Sequence, residues 1–333
     1  MTQPDQKPQL QVALATSAKP MMTAPSTPRE VQEFVNRRGI RLRRQWGQSF
    51  LVEKNILDVI VNAANVSPAD IVFEIGPGAG VLTERLLDCA GLVACVEIDC
   101  GLAAWIDEAF GERPNLVLLN RDVMGAHNCL ADEAREMLQS ALGRELEQTS
   151  NVLAPPSGRP GKNFSSIKVV ANLPYSISSP VIIALLESTL PITSLTVMLS
   201  REVGRKIVAV PGDEDYGLLS ILCALNAESR IVHKVSRTCF WPQPKIDSAI
   251  ITMHRRAMLA DRTEYEAVKD IARKLFQFRR KSLFAAAKHG FELDAESVRA
   301  WFSRASVDPA AHAEILDLHA FRRLAAALNA QQH

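Results

Sequence analysis

Ile71-Val72-Phe73-Glu74-Ile75-Gly76-Pro77-Gly78-Ala79-Gly80 decides the fold. A short β-branched run passes into three glycines spaced by single residues, and a helical pattern opens at Leu82. Buried strand, tight turn and helix N-terminus, in that order, make the first half of a βαβ unit. Glycine in such a turn lets the backbone approach a ligand closely.

The same rhythm continues outward. Asn55 to Ala64 has helical periodicity and ends at the Ser67-Pro68 break. Strands are expected at 92–97, 116–119, 167–171, 194–199, 230–235 and 248–253, with helices such as Leu82–Cys89 and Leu102–Ala109 between the earlier ones. Strands alternating with helices imply an α/β fold with a parallel, Rossmann-like sheet. The last two strands are joined by Phe240-Trp241-Pro242-Gln243-Pro244 without a helix, which makes the final strand antiparallel. Residues 125–166 break the rhythm and read as an insertion: a charged helix, Asp132 to Gln148, followed by the proline- and glycine-rich 154–162. From about 259 to 333 the pattern is all helical, with helices expected at Glu264–His289, Asp294–Ser303 and Pro309–Ala330. Tyr265, Val268, Ile271, Leu275 and Phe278 form one apolar stripe. Residues 1–28, rich in Gln, Pro, Ser and Thr, read as a disordered tail. Residues 29–258 and 259–333 are then the two domains.

The chain has 333 residues, 47% hydrophobic and 23% charged, values of a globular protein large enough for two cores. A net charge of +1 gives no global sign of a polyanion partner. Basic residues do cluster locally, at Arg37, Arg38, Arg41, Arg43 and Arg44 and at Arg279-Arg280-Lys281 behind Phe276 and Phe278. Basic side chains interleaved with aromatics suit phosphates and bases. Six cysteines show no metal spacing with the seven histidines and read as buried, reduced thiols of a cytoplasmic protein. No apolar stretch is long enough to span a membrane.

The richest chemistry lies at Asn172-Leu173-Pro174-Tyr175, directly after the apolar 167–171. A strand tip that carries an amide, a proline-fixed carbonyl and an aromatic ring suits an exocyclic amine on a flat base. Val81 stands where a dinucleotide turn has glycine or alanine. The Glu-x-Gly-x-Gly-x-Gly loop instead resembles that of S-adenosylmethionine-dependent methyltransferases. Glu97, ending the second strand, is placed to accept both ribose hydroxyls. Asp122, past the third strand, is placed for an adenine amino group; a helix cap is the other role such an aspartate takes.

Taken in order, Gly47-Gln48-Ser49-Phe50-Leu51, Glu74 to Gly80, Val96 to Asp99, Arg121 to Met124, Asn172 to Ser178, Ser200 to Val203, Tyr216 to Ser220, Phe240 to Ala249 and Phe276 to Ser282 resemble the ribosomal RNA adenine dimethyltransferases, in their bacterial small-subunit branch. The resemblance runs from about Arg37 to the C-terminus, apart from 125–166. It implies S-adenosylmethionine as cofactor, held by Leu51, the Ser49 backbone, Gly76, Glu97 and Asp122, with Asn172 bordering its methyl end. It implies that Asn172 and the Pro174 carbonyl hold the target amino group and that Tyr175 and Phe240 sandwich the ring. Arg41, Arg43, Arg44, Arg279, Arg280 and Lys281 would meet rRNA phosphates. The implied reaction is two methyl transfers to each of two adjacent adenosines near the 3′ end of small-subunit rRNA, by a cytoplasmic monomer without a metal. Ser49, Ala171 and Ser176 depart from the family's usual Asn, Gly and Asn. Large-subunit rRNA is the nearest alternative substrate, and a non-catalytic RNA-binding role on the same fold is the other; Tyr216-Gly217 and Pro244 to Ser248 favour the small-subunit branch.

Overall fold

The computed structural model describes residues 23–43, 47–143, 164, 166–256 and 262–329. Residues 1–22 of the tail expected over 1–28, Arg44 and the proline-rich 154–162 lie outside them.

Nine strands occur among the described residues: β1 (Phe50–Leu51), β2 (Ile71–Ile75), β3 (Leu92–Glu97), β4 (Leu116–Asn120), β5 (Ile167–Asn172), β6 (Ile192–Ser200), β7 (Ala227–Val235), β8 (Phe240–Trp241) and β9 (Ser248–Arg255). Seven form one sheet in the order β4-β3-β2-β5-β6-β9-β7, while β1 and β8 make a separate two-stranded ladder. The first five are parallel, and β9 runs antiparallel to both its neighbours. The connection between β7 and β9 holds only a three-residue 3-10 turn (Arg237–Cys239) and the short β8, with no α-helix to carry a parallel crossover, which suits that reversal. β2 is buried at all five positions, the mark of a strand covered on both faces.

Alternation along the strands divides the core into two layers. Ile71, Phe73 and Ile75 point to one face and Val72 to the other. The Val72 side is covered by α1 (Pro28–Arg37), α2 (Lys54–Ala64), α3 (Val81–Cys89) and α4 (Cys100–Phe110). The opposite side is covered by α5 (Asp132–Ala141), α6 (Ser178–Glu187) and α7 (Arg201–Val208). α8 (Leu218–Asn226) is shared: Cys223 packs toward the sheet, whereas Ile221, Leu222 and Leu225 join a third core. That core is built by α9 (Arg262–Gln277), α10 (Leu283–Gly290), α11 (Ala295–Ala305) and α12 (Leu318–Asn329) around the fully buried Trp301, Phe302 and Phe321.

Five expectations change. The packed chain begins before residue 28: Ala24 is buried, and Thr27 and Glu30 form a capping box at the start of α1. The helix in 125–166 is not part of an insertion. It is the crossover from β4 to β5, and its buried Ala134, Met137 and Leu138 belong to the sheet core. The helix expected over 264–289 is two helices, because the Ser282 hydroxyl accepts from the Ala285 N–H and starts α10 afresh. The Arg279-Arg280-Lys281 cluster therefore sits in the turn between them. The last helix likewise starts at Leu318 rather than at Pro309, after a short 3-10 turn at Ala313–Ile315. Of the thiols, Cys95 and Cys223 are buried as expected, while Cys100 and Cys129 are exposed. Among the described residues no helix is long and apolar enough to cross a membrane.

Candidate active site

Strand order reverses between β2 and β5: β3 and β4 are laid down on one side of β2, β5 and β6 on the other. In open parallel sheets ligands bind beyond the carboxyl ends of strands at such a switch point. The glycine loop leaves β2 there, and Asn172 ends β5 beside it.

The loop is held from several sides. Gly76 N–H donates to the Val96 carbonyl (2.9 Å), and Trp105 Nε1 donates to the Ala79 carbonyl (3.0 Å). Gly76, Gly78 and Gly80 have φ of +69°, +57° and +88°, a region costly to other residues. A Cβ on Gly80 would lie 2.7 Å from the Phe110 ring, so only glycine lets α4 pack this close. Glu97 is almost fully buried and accepts from Gly78 N–H (3.1 Å) and Asp99 N–H (2.9 Å). Burial pushes its carboxyl above the ordinary range despite those donors. Asp122 is exposed and lines the cleft, and its Oδ1 accepts from Met124 N–H at 2.9 Å in a turn contact.

The opposite wall comes from β1 and β8. Their ladder pairs Leu51 with Phe240, which brings the residue-50 segment and the proline-rich loop together over the cleft. The Ser49 hydroxyl donates to the Pro242 carbonyl (3.0 Å), and the Ser49 carbonyl accepts from Asn172 Nδ2 (3.4 Å). Serine at 49 thus serves the lid through its side chain and the amide through its backbone. With Nδ2 so engaged, Asn172 presents Oδ1 as an acceptor. The Pro174 carbonyl accepts from Ile177 N–H (3.2 Å) and keeps a second lone pair. Tyr175 is half-buried, and its hydroxyl is hydrogen-bonded to the buried Ser248 Oγ, the first residue of β9.

Ser49, Leu51, Gly76, Glu97, Asp122, Asn172, Pro174, Tyr175 and Phe240 therefore all line one continuous cleft. The basic residues do not. Arg41 and Arg43 are exposed on the segment leading to the lid, and the Arg43 N–H is held by Gln48 Oε1 (2.8 Å). Arg279 is tied to Glu314 (2.9 Å) and to the Glu214 carbonyl (2.6 Å), so it staples the 213–216 loop to the helical region. Arg280 and Lys281 remain exposed, Lys281 over the Phe278 ring. Gln48 and Ser248 stood within the quoted motifs without a role. Gln48 Nε2 reaches Asp99 Oδ2 (3.3 Å), and Ser248 reaches Tyr175 across 73 residues of chain, contacts that no spacing rule reveals.

Glu74 is buried beneath the loop, with Cys95 Sγ donating to it (3.4 Å). Burial raises its carboxyl from 4.5 to about 7. A folded-state value above the unfolded one gives stability that is full below about pH 4.5 and lost as pH rises through 7. The loss amounts to roughly 3 kcal/mol, at about 1.4 kcal/mol per unit. Glu74→Gln is expected to raise Tm at pH 8 and to leave it near wild type at pH 4.5. Equal shifts at both pH values in thermal melts would show that Glu74 does not titrate in this range.

Residues 39–328, which include the whole cleft and all four C-terminal helices, match the family described as ribosomal RNA adenine dimethylase. The chain belongs to that family. Relatives named ribosomal RNA small subunit methyltransferase A include one from Clostridium botulinum strain Loch Maree, 33% identical over 88% of this chain and 96% of its own length. Another, from Enterococcus faecalis, is 34% identical over 91% and 96%. A solved dimethyladenosine transferase from Plasmodium falciparum superposes with a TM-score of 0.62 at 24% identity, covering 85% of this chain and 98% of that one. The 23S rRNA methyltransferase ErmE gives 0.57 at 26%, covering 84% and 99%. This chain has the class I methyltransferase fold of these two neighbours, a mostly parallel sheet, with a helical C-terminal region.

Proposed function

We propose that this chain transfers methyl groups from S-adenosylmethionine to N6 of two adjacent adenosines near the 3′ end of small-subunit rRNA, two to each. The observation that carries the proposal is the placement of Asn172, Pro174 and Tyr175 at the end of β5, in the same cleft as the glycine loop and Glu97. Relatives named for the small subunit, about a third identical over most of the chain, favour that substrate over the large subunit.

The cleft suits an adenosine-bearing cofactor: positive-φ glycines form its floor, a buried acid stands at one strand end and an exposed acid at the next. Glu97 would accept the ribose hydroxyls and Asp122 the adenine amino group, with Leu51 and the Ser49 backbone closing over the methionine end. Bound there, S-adenosylmethionine supplies an electrophilic methyl on its sulfonium. The protein's part is alignment. An adenine amino nitrogen is a poor nucleophile because its lone pair is delocalised into the ring. Asn172 Oδ1 and the Pro174 carbonyl accept its two hydrogens and favour the pyramidal form whose lone pair faces the methyl. Tyr175 and Phe240 hold the ring plane. Positioning of this kind supplies roughly 7–11 kcal/mol. We assign the sheet and its covering helices, from the Ala24 segment through β9, to catalysis and the helical 259–333 to RNA binding by a single chain, and a ribosomal substrate implies a cytoplasmic reaction.

The direct test is transfer of labelled methyl to small subunits from a strain lacking this protein, mapped by primer extension. Stops at two adjacent 3′-end adenosines are expected. Labelling confined to large subunits would reassign the substrate, and no labelling of either would leave a non-catalytic RNA-binding role.

RNA binding gives a separate expectation. Arg41, Arg43, Arg44, Arg280 and Lys281 are the proposed phosphate contacts, and binding should weaken steeply with salt. Neutralising Arg280 and Lys281 together should lower the log–log salt slope by about 1–2, since each contact contributes roughly 0.7–0.9. Arg279→Ala should lower Tm, through its staple to Glu314 and Glu214, more than it changes the slope. An unaltered slope in the double variant would return that turn to a solvated surface.

A further inference from the structure

We propose that Ser248 is a positioning residue for the target base, acting through Tyr175 and weighing most on the second methyl transfer to each adenosine. The inference rests on the reading of the cleft given above and deepens it.

Tyr175 is fixed at both ends. Its backbone is wedged beneath the lid, where a Cβ on Gly47 would lie 3.3 Å from the Tyr175 nitrogen. Its carbonyl accepts from the Ser178 hydroxyl (3.1 Å). At the far end of the ring the hydroxyl meets Ser248 Oγ. Ser248 has no exposure and is itself fixed by register, opposite Ser200 in β6 and Val235 in β7. A strand hydrogen-bonded on both sides therefore sets the angle of the stacking ring. The ring face needs no hydroxyl in order to stack, so this hydrogen bond orients the ring rather than touching the base.

Orientation matters unequally for the two transfers. An unmethylated amino group has two hydrogens, one for Asn172 Oδ1 and one for the Pro174 carbonyl. After the first transfer the methylated nitrogen sheds one proton to solvent and keeps one hydrogen, so one of those two hydrogen bonds is lost. The base's pose then depends more on the stacking wall. Loosening that wall should slow the second transfer more than the first, and monomethylated adenosine should accumulate.

The test measures single-turnover rate constants for both transfers on undermethylated small subunits, in wild type, Ser248→Ala, Tyr175→Phe and the double variant. Tyr175→Phe removes the same hydrogen bond from the other partner, so a folding defect in Ser248→Ala does not decide the outcome. Expected are about a tenfold loss in the second transfer, no more than threefold in the first, unchanged affinity for S-adenosylmethionine, and a double variant no worse than the worse single one. Equal losses in both transfers, or multiplying losses in the double variant, overturn the proposal. Asn172→Ala, run in parallel, separates the two layers. If it is inactive while Ser248→Ala slows both transfers alike, only the Ser248 inference fails; if it is fully active, the reading of the cleft fails with it.

Discussion

Asn172→Ala is expected to cut the first methyl transfer roughly a hundredfold while leaving the fold and cofactor affinity near wild type. The side chain is half-buried, and its one side-chain hydrogen bond among the described residues is the long 3.4 Å contact to the Ser49 carbonyl. Losing such a contact costs at most about 1 kcal/mol of stability. In the proposed site the catalytic loss would come from Oδ1, which would take one hydrogen of the target amino group and so aim its lone pair. Asn172→Asp separates the two ends of the amide. It retains an acceptor but sets a carboxylate against the Ser49 carbonyl, so it should keep more activity than alanine and melt at a lower temperature. Single-turnover transfer and thermal melts check both statements. Transfer at the wild-type rate in Asn172→Ala would move the amino-group site elsewhere in the cleft.

The parallel core was legible because its strands are short apolar runs punctuated by glycine, proline or a capping residue. Five parallel strands were expected at 71–75, 92–97, 116–119, 167–171 and 194–199, and each lies within two residues of its observed bounds. The crossover helix α5 was misread because its exposed face is densely charged, at Asp132, Glu133, Arg135 and Glu136. The buried Ala134, Met137 and Leu138 are too few to stand out in a window that runs on into 144–162. The break between α9 and α10 was missed for a different reason. Phe276 and Phe278 continue the apolar pattern, while the stop is a single serine cap. In the cleft, residue types and strand ends were enough to place the acceptors. What they could not supply was pairing across the chain. The Leu51–Phe240 ladder, the Asn172–Ser49 contact and the Tyr175–Ser248 bond join residues separated by 189, 123 and 73 positions. The Arg279 staple shows the same limit from the other side, since a basic triplet in sequence does not reveal which of its members is already paired.

Glu97→Ala is expected to weaken cofactor binding by about 1–3 kcal/mol, roughly fivefold to 150-fold. Two effects add. The ribose hydroxyls lose their acceptor, and the Gly78 and Asp99 N–H groups lose theirs, so the glycine loop is less well ordered before the cofactor arrives. Glu97→Gln separates them, because one amide oxygen can still receive one of those donors; its loss should be the smaller. The pH dependence carries a further signature. Burial holds the Glu97 carboxyl above its ordinary value, so the charged acceptor is depleted as pH falls toward that raised value. Wild-type affinity should therefore decline on mild acidification, whereas the affinity of Glu97→Gln should change less over the same interval. Calorimetric titration of wild type and both variants at two pH values measures all of this. Binding to Glu97→Ala with wild-type affinity would remove Glu97 from the ribose site and leave it a purely structural anchor for the loop.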